Sequence, residues 1–585
     1  MSRPAKQRPV KTQRAATRNP KAKPRSKPGR PRAAGEDLAS LRISVTTIGD
    51  LLLAAADRYP NTLALVFPDE RYTYAELASR ALRHARSLQA IGVRPHDHVG
   101  ILMQTCAEFV ELFFAIAFCG AVIVPINARY KASELAYVIE NGDLVTILTT
   151  DSITDQVNFI ERLNGALPDL HRQANPLALR IAAAPRLRNL VILGNGQPKG
   201  FVSDRAFRSA GKAIPERDVH LSRLGVRVRD IALMLYTSGT TANPKGCLLT
   251  HEAQVRNSIT LGSHRYGLTH EDKFWSPLPM FHIASVLPML AIFAVGGTYL
   301  TMGYFDAGVA LRMLQKHRVS ALYPCFVTIM QGLIYHPDFA KTDLSRVRLM
   351  NSNFAVQPPG VAEPIMAAMP QALQVGTFGM TETAGTVCTG SPQESENSRI
   401  TRLGRPLPGL ELRIVNYETG EEVPTGMRGE ILVRGYNTLE GYYKDPEKTS
   451  QAIDREGWFH TGDIGSVDQL GTAMFYGRFK DMLKVGGENV AAAEIEALLG
   501  RHPAVKLAQV VGIPDAKYSE VPAAFVEIKP NASATEKELI AFCKAEISGF
   551  KVPRVVRMVT EWPMSSSKIQ KFRLRAALVE ELGLA

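Results

Sequence analysis

Apolar and polar positions alternate with two different periods along most of the chain. Between residues 71 and 90, apolar side chains recur at helical spacing, at Leu77, Ala81, Ala85 and Leu88. A turn follows, and the apolar run Val99–Met103 then predicts a buried strand. The same succession of helix and strand continues through residues 108–149. It predicts a large N-terminal α/β domain with mostly parallel sheets.

The order of elements changes near the C-terminus. Apolar strands are predicted at Leu507–Val511 and Ala523–Ile528, and a helix at Glu536–Ile547. This order predicts a small α+β domain at the C-terminal end. Residues 152–230 show no clear period, so we expect long surface connections there.

Two longer apolar runs could be taken for membrane spans. The run Leu112–Ile126 is shorter than the ~18–20 residues that a spanning helix needs, and it contains Gly120 and Pro125. The run Ile283–Leu300 is interrupted by Pro288 and a Gly-Gly pair. Each run therefore predicts a buried helix followed by a buried strand.

Positive charge is concentrated at the N-terminus. The chain of 585 residues has a formal net charge of +13, and residues 1–35 alone contain twelve Lys or Arg and no acidic residue. The remaining chain is close to neutral, which argues against a nucleic-acid-binding surface on the folded part. Residues 1–40 have almost no large apolar side chain and are predicted to be a disordered basic tail, with weak contact between residues 1–35 and anionic surfaces.

Alternative roles for the tail stay open. Lys27–Arg32 is similar to the Gly-Arg-Pro core of a minor-groove AT-hook, although we expect no specific nucleic-acid partner. A transit peptide is a further alternative, but serines are scarce and prolines interrupt any amphipathic helix. No apolar secretory segment follows the basic start, and the six scattered cysteines predict buried thiols. These features favour a cytoplasmic enzyme, with a peripheral membrane location as the second reading.

The most informative stretch is Leu235–His251. An apolar strand, Ile231–Leu235, leads into hydroxyl and glycine residues, and an aliphatic turn is predicted to lead on towards a helix. The residues proposed to hold phosphate are Thr237, Ser238, Gly239, Thr240, Thr241 and Lys245. Glycine lets backbone N–H groups approach an anion, hydroxyls add donors, and lysine adds a positive charge. The stretch predicts a polyphosphate loop, but not a Walker A loop, because Pro244 stands where that motif has glycine.

Two further stretches place reactive groups at predicted strand ends. Phe274–His282 ends in a histidine before an apolar helix, for which a buried core histidine is the alternative to a pocket role. Phe378–Thr383 follows the apolar strand Leu373–Val375 and contains a hydroxyl and a carboxylate, Thr381 and Glu382. The carboxyl ends of strands are where α/β sheets bind ligands.

These stretches occur in the order of the signatures of the adenylate-forming superfamily, and the chain resembles that superfamily from residue 43 to its end. It includes acyl-CoA synthetases, luciferases and the adenylation domains of peptide synthetases, and the pattern is most similar to fatty-acid–CoA ligases. Three later stretches also match it: Gly457–Asp463, Gly477–Val490 and Trp562–Arg575. The resemblance implies an N-terminal domain over residues 41–479 and a mobile C-terminal domain over residues 480–585, joined by a hinge.

The resemblance also implies roles for individual residues. Thr381 would lie near the α-phosphate and Glu382 would hold Mg²⁺, while His282 would stand beside the acid's carboxylate. The residues implied to bind ATP are Gly379, Met380, Asp463 and Arg478. Lys480 would be the hinge residue, and Lys568 would catalyse adenylation. The pantetheine arm of CoA would pass Gly486 and Gly487. A carboxylate such as Asp463 suits the ribose diol because its two oxygens can accept two hydrogen bonds.

The chain departs from the superfamily pattern at two places. A glycine-rich run that passes under the adenine and acyl groups is replaced here by Asn351–Ala355, which puts the shape of the acid pocket in question. Ser567 replaces the glycine that precedes the adenylation lysine.

The implied reaction is the activation of a carboxylic acid with ATP and Mg²⁺ to acyl-AMP, followed by acyl transfer to coenzyme A. We expect a hydrophobic acid, with a fatty acid first and an aryl or alicyclic acid second, because the predicted pocket segments 284–287 and 375–377 carry no basic residue. Alternatives are transfer to a separate acyl carrier protein, a luciferase-like oxidation, and a DNA-associated role of the tail. The oligomeric state stays open.

Overall fold

The computed structural model describes residues 45–152, 157–237, 244–353, 359–485, 488–515, 517–565 and 568–584. The predicted disordered tail, residues 1–40, lies outside the described residues. In the described ranges no helix is long and apolar enough to cross a membrane.

The helices of the N-terminal part begin just after the start of the described chain. They are α1 (Ile48–Arg58), α2 (Tyr74–Ala90), α3 (Ala107–Phe118), α4 (Ala132–Asn141), α5 (Phe159–Ala166), α6 (Asp204–Gly211), α7 (Glu216–Gly225), α8 (His251–Ile259), α9 (Ile283–Phe293), α10 (Ala307–His317), α11 (Val327–Ile334), α12 (Pro359–Ala368), α13 (Glu396–Thr401) and α14 (Pro446–Ala452). Helix α2 begins at a capping box, in which Thr73 and Glu76 each bond the other's backbone N–H. The apolar positions predicted for it are all buried.

Two large, mostly parallel sheets form the N-terminal part. The strands are β1 (Leu63–Val66), β2 (Arg71–Thr73), β3 (His98–Leu102), β4 (Val122–Pro125), β5 (Leu144–Thr150), β6 (Asn189–Leu193), β7 (Val202–Ser203), β8 (Ile231–Thr237), β9 (Lys245–Thr250), β10 (Lys273–Trp275), β11 (Thr298–Leu300), β12 (Ala321–Leu322), β13 (Leu349–Asn351), β14 (Leu373–Val375) and, from later in the chain, β20 (Gly441–Tyr442). One sheet has the order β20-β9-β8-β4-β3-β5-β6-β7 and the other β14-β13-β12-β10-β11-β1-β2. Antiparallel pairing is confined to β20-β9-β8 and β1-β2.

Two smaller antiparallel sheets follow. Their strands are β15 (Thr377–Met380), β16 (Gly385–Thr389), β17 (Arg405–Pro406), β18 (Leu410–Val415), β19 (Gly429–Gly435), β21 (Phe459–Val467) and β22 (Ala473–Arg478). The first three strands form one sheet, and the other four form the second in the order β18-β19-β21-β22.

The C-terminal part has hydrophobic clusters of its own. Its elements are β23 (Met482–Val485), β24 (Glu488–Ala491), α15 (Ala492–Leu499), β25 (Val505–Asp515), β26 (Ser519–Ile528), α16 (Glu536–Glu546), β27 (Val555–Met558), β28 (Met564–Ser565), β29 (Lys568–Ile569) and α17 (Lys571–Glu581). The large cluster of the N-terminal part ends at Ala473, and the C-terminal clusters begin at Leu483. The short helical turn Phe479–Asp481 lies between them.

The predicted fold class is confirmed, with two corrections of local structure. The apolar runs near residues 112 and 283 are α3 followed by β4 and α9 followed by β11, as predicted. Residues 152–230 contain more than connections, because β6 and β7 extend the first sheet there. The chain after Lys245 was expected to be a turn leading to a helix, but it is strand β9, which returns antiparallel to β8. Periodicity cannot separate a strand from a turn in so short an apolar run.

A buried histidine links the first helix to the strand pair that carries the predicted phosphate loop. His251 is 1% exposed, and its Nδ1 accepts the backbone N–H of Ile48 at 3.3 Å. Burial lowers the pKa of His251 from 6.5 to about 4. The neutral ring thus fixes the start of α1 against α8.

This histidine predicts an acid-sensitive fold. The unfolded chain binds a proton at His251 near pH 6.5 and the folded chain near pH 4, so stability is full above pH 6.5 and falls as the pH drops towards 4. We expect a loss of about 3 kcal/mol over that interval. The measurement is the free energy of unfolding of the wild type minus that of His251→Gln at each pH, which removes the contribution of other groups. A pH-independent difference would contradict the prediction.

Candidate active site

The predicted phosphate loop is the connection of an antiparallel strand pair. Thr237 and Lys245 face each other at the open end of β8 and β9. Ser238, Gly239, Thr240 and Thr241 lie outside the described residues. Cys247, two residues further along β9, is fully buried, and burial together with the nearby Glu382 raises the pKa of its thiol. It is therefore a packing residue and not a nucleophile.

Lys245 and Glu382 both contact Tyr442. The Lys245 Nζ lies 4.0 Å from the centroid of the Tyr442 ring, and the Tyr442 hydroxyl donates a hydrogen bond of 3.2 Å to Glu382 Oε1. Tyr442 is 7% exposed and pairs with Cys247 across β20 and β9. Burial and the adjacent carboxylate raise the pKa of Tyr442, so the phenol remains a donor.

Glu382 is presented by a tightly held turn. Thr381–Thr383 forms a short 3-10 helix between β15 and β16, and the Thr383 hydroxyl accepts the Met380 backbone N–H at 3.1 Å. A Cβ on Gly379 would lie 1.7 Å from the Gly385 carbonyl oxygen, so only glycine allows the two strands to approach here. The predicted residues Gly379, Met380, Thr381 and Glu382 therefore form one rigid corner.

Asp463 and Arg478 form a second charged unit. They are directly paired residues of β21 and β22, and Arg478 Nε lies 3.0 Å from Asp463 Oδ1. Asp463 is 2% exposed, whereas the arginine side chain is partly open to solvent. The Asp463 backbone N–H donates to the Thr461 hydroxyl at 3.0 Å, which fixes the start of this strand segment. A buried carboxylate beside a fixed guanidinium suits a ligand that donates two hydrogen bonds.

The carboxyl ends of β10, β12, β13 and β14 share one edge of their sheet, because these strands run parallel. His282 is at this edge as the residue before α9, half-buried and 4.7 Å from the Phe281 ring. Two residues at neighbouring strand ends adopt left-handed backbone conformations, Cys325 with φ 62° and Asn353 with φ 52°. Such non-glycine conformations cost energy and cluster at functional sites.

Asn353 has a structural role that its sequence context did not reveal. Its side-chain oxygen accepts the backbone N–H of Thr377, the first residue of β15. The Thr377 hydroxyl in turn accepts from Asn351 Nδ2 at 2.6 Å, and Tyr266 joins the same network. The asparagines that replace the superfamily's glycine-rich run therefore bond to the next strand end, and asparagine tolerates the left-handed conformation well.

The predicted residues of the C-terminal part are described only in part. Lys480 belongs to the turn Phe479–Asp481, and Lys568 opens β29 opposite Ser565, but only their backbones are described. Gly486 and Gly487 lie outside the described residues.

The described residues thus present two charged units, Lys245 and Glu382 at Tyr442, and Asp463 with Arg478. Across the described ranges, no group of three or more His, Cys, Asp or Glu side chains is placed to hold a metal ion. The single carboxylate of Glu382 fits Mg²⁺, which commonly binds one or two protein carboxylates and completes its shell with water and substrate phosphates.

Tyr442 was missed by the sequence analysis. The segment Gly441-Tyr442-Tyr443 carries no charge or nucleophile, and the contacts of Tyr442 with Glu382 and Lys245 are to residues 60 positions or more away. Local patterns cannot signal such a residue.

Comparisons with known proteins identify the family of the chain. The family described as AMP-binding enzyme matches residues 52–443, and the family described as AMP-binding enzyme C-terminal domain matches residues 494–568. The chain is similar to the putative acyl-CoA synthetase YngI of Bacillus subtilis (35% identity, 92% of this chain, 98% of that protein) and to the mitochondrial medium-chain acyl-CoA ligase ACSF2 of Rattus norvegicus (32%, 92% and 88%). Among solved structures it is similar to the anthranilate CoA ligase AuaEII in complex with anthranoyl-AMP, with a TM-score of 0.80, 26% identity, and coverage of 93% and 99% of the two chains.

The classification of the chain follows from the family matches, which cover most of the chain, and from relatives that are matched over nearly their full length. The chain belongs to the AMP-binding enzymes of the adenylate-forming superfamily and, within it, to the AMP-forming acid–CoA ligases, which use a carboxylic acid, ATP, Mg²⁺ and coenzyme A.

Proposed function

We propose that this enzyme activates a hydrophobic monocarboxylic acid, with a fatty acid as the first candidate, and transfers the acyl group to the thiol of coenzyme A. The observation that carries the assignment of the ATP site is that Lys245 and Glu382 both contact Tyr442, one at the ring face and the other at the hydroxyl. An ammonium and a carboxylate that contact the same buried side chain suit a polyphosphate with its counter-ion.

The phosphate groups are assigned to one end of the site. Lys245 and the stretch Thr237, Ser238, Gly239, Thr240 and Thr241 hold the β- and γ-phosphates, and Thr381 lies near the α-phosphate. Mg²⁺ on Glu382 offsets phosphate charge when it is bound. Gly379 and Met380 border the nucleotide, and Asp463 accepts hydrogen bonds from the ribose hydroxyls while Arg478 keeps the carboxylate in place.

In the first step, an oxygen of the acid's carboxylate attacks the α-phosphorus. A new O–P bond forms as the bond to pyrophosphate breaks, and the products are acyl-AMP and pyrophosphate. Catalysis of such a step is mostly positioning and charge neutralisation. We assign Lys568 to bridging the carboxylate and the α-phosphate, and His282 to the wall beside the carboxylate.

In the second step, the CoA thiol gives up its proton and its sulfur attacks the acyl carbon, so that the thioester forms as the bond to AMP breaks. We assign Gly486 and Gly487 to the passage of the pantetheine arm, and Lys480 to the hinge between residues 41–479 and 480–585. The separate hydrophobic clusters on the two sides of residues 479–481 support a boundary at that position.

Two observations bear on the acid. The segments that we assign to its pocket, 284–287 and 375–377, contain no basic residue that could pair with a second carboxylate. Val286, Leu287 and Val375 are buried apolar side chains. The name of the medium-chain ligase relatives favours a fatty acid, whereas the likeness to an anthranilate ligase favours an aryl acid as the second candidate.

Pyrophosphate release over a panel of acids tests this proposal. We expect linear fatty acids to exceed benzoate and cyclohexanecarboxylate, and malonate to be inactive. A preference for malonate or for an amino acid would overturn the hydrophobic pocket. Replacing CoA by a phosphopantetheinylated acyl carrier protein in the same assay separates the two acceptors, because transfer to the carrier without transfer to CoA would contradict the ligase assignment.

We also propose a cytoplasmic location with transient surface contact by residues 1–35. Deleting them is expected to abolish cosedimentation with anionic vesicles at low salt and to leave kcat/KM unchanged, because each basic residue near such a surface contributes about 1 kcal/mol and salt screens the attraction. A tail of equal length with glutamine at the twelve basic positions is the control for chain length. Equal cosedimentation of the wild type and the deletion variant with anionic vesicles would contradict the prediction. Retention on AT-rich duplex DNA at moderate salt that depends on the tail would favour the AT-hook instead.

A further inference from the structure

The segment 439–443 forms backbone hydrogen bonds to two parts of the site that are far apart in the sequence. The Leu439 backbone N–H donates to the Glu382 carbonyl at 2.8 Å. On the other side, the N–H groups of Glu440 and Tyr443 donate to the carbonyls of Leu248 and Gly246 at 2.9 and 2.8 Å. The turn that contains Glu382 and the strand that begins at Lys245 are therefore hydrogen-bonded to the same segment of five residues.

The position of Tyr442 within this segment is fixed by its own backbone. Its N–H donates to the Thr449 hydroxyl at 2.9 Å, and a Cβ on the preceding Gly441 would lie 3.0 Å from the Thr449 methyl group. Gly441 also has φ 151°, which favours glycine. The ring thus has little freedom to move away from Lys245 and Glu382.

We propose that Tyr442 is a positioning residue that couples Lys245 to Glu382, with its ring face placing the ammonium and its hydroxyl placing the carboxylate. A cation 4.0 Å from a ring centroid is attracted by the electron-rich face. The hydroxyl engages Oε1 of Glu382, and no hydrogen bond from the described residues occupies Oε2, so this oxygen would be available to a metal ion; partners of metal-binding carboxylates commonly act in this way. The proposal rests on the phosphate role of Lys245 and the metal role of Glu382.

Two substitutions separate the contributions of the ring and the hydroxyl. Tyr442→Phe keeps the ring under Lys245 but removes the bond to Glu382, so the apparent half-saturating Mg²⁺ concentration should rise about tenfold, with less than a twofold change in ATP affinity in the absence of Mg²⁺. Tyr442→Leu removes both contacts and should also weaken Mg²⁺-free ATP binding by about three- to tenfold. ATP binding is measured by calorimetry with and without Mg²⁺, and kcat and KM are measured alongside.

The neighbouring tyrosine provides a matched control. The Tyr443 hydroxyl also donates to a carboxylate, Asp143 Oδ2 at 2.8 Å, on the other side of the strand. Tyr443→Phe should leave both the Mg²⁺ dependence and ATP binding unchanged. If it shifts the Mg²⁺ requirement as much as Tyr442→Phe does, the effect is a general loss of packing and the proposal fails.

A double-mutant cycle decides whether Lys245 and Tyr442 act together. In the absence of Mg²⁺, Tyr442→Leu combined with Lys245→Met should cost ATP affinity no more than Lys245→Met alone, whereas additive losses would overturn the coupling. Lys245→Met and Glu382→Gln by themselves test the roles on which the proposal rests. If these two variants keep ATP binding and Mg²⁺ dependence, the assigned ATP site fails; if they lose them while both Tyr442 variants behave as wild type, only the role of Tyr442 fails.

Discussion

Replacing Glu382 by glutamine is expected to lower kcat/KM for acid-dependent pyrophosphate release by about 10²- to 10³-fold, the loss typical when one group that stabilises transition-state charge is removed. Glutamine has nearly the same shape and can still accept the hydrogen bond of Tyr442, so the turn Thr381–Thr383 should stay intact. The substitution removes the negative charge of the Glu382 carboxylate, which we propose binds Mg²⁺.

The metal dependence makes this prediction specific. The half-saturating Mg²⁺ concentration should rise together with the loss of rate, and added Mg²⁺ should restore part of the activity. Glu440→Gln is the control, because Glu440 belongs to the neighbouring segment but its carboxylate pairs with Arg229 at the surface. Activity of Glu382→Gln within a factor of three of wild type at low Mg²⁺ would remove Glu382 from the assigned site.

Replacing Asp463 by asparagine is expected to lower kcat/KM for ATP by about 100-fold, because a buried carboxylate that accepts hydrogen bonds is costly to replace. The ribose assignment adds a sharper expectation. Wild-type enzyme should prefer ATP to 2′-deoxy-ATP by tenfold or more, and Asp463→Asn should reduce that preference towards unity, since one acceptor is gone.

A similar ion pair on the same sheet serves as the control for structural damage. Arg434 and Glu411 are paired across β18 and β19 as Arg478 and Asp463 are across β21 and β22, but Glu411 is exposed. Glu411→Gln should change neither the kinetics nor the nucleotide preference, because exposed ion pairs contribute little. An Asp463→Asn enzyme with weaker ATP binding but an unchanged preference for the 2′-hydroxyl would place Asp463 away from the ribose.

The relation between Lys245 and Glu382 shows where local sequence analysis stops. The hydroxyl-rich stretch and the Thr-Glu pair were recognised separately, each by residue type and order. In the folded chain Lys245 and Glu382 both contact Tyr442, whose two-residue strand pairs with β9 from far along the chain. Hydrophobic periodicity reports local structure, and a two-residue strand has no period to detect.

Asn353 is a second case in which local sequence patterns do not predict a contact in the folded chain. The sequence revealed a departure from the glycine-rich pattern of the superfamily, but not its consequence. In the folded chain the left-handed backbone of Asn353 turns its side-chain oxygen to the N–H of Thr377, so the residue joins two strand ends. Which substrate fits beside it depends on packing between segments that sequence order alone does not bring together.

The sequence by itself determined the family, the α/β class, the small C-terminal domain and the kinds of chemical group in the site, because ordered motifs and strong periodicity are local properties. The tertiary structure decided that the predicted phosphate loop joins two antiparallel strands, that Asp463 is buried against Arg478, and that Tyr442 contacts both Lys245 and Glu382. These features arise from contacts between residues far apart in the chain, and such contacts form only when the sheets assemble.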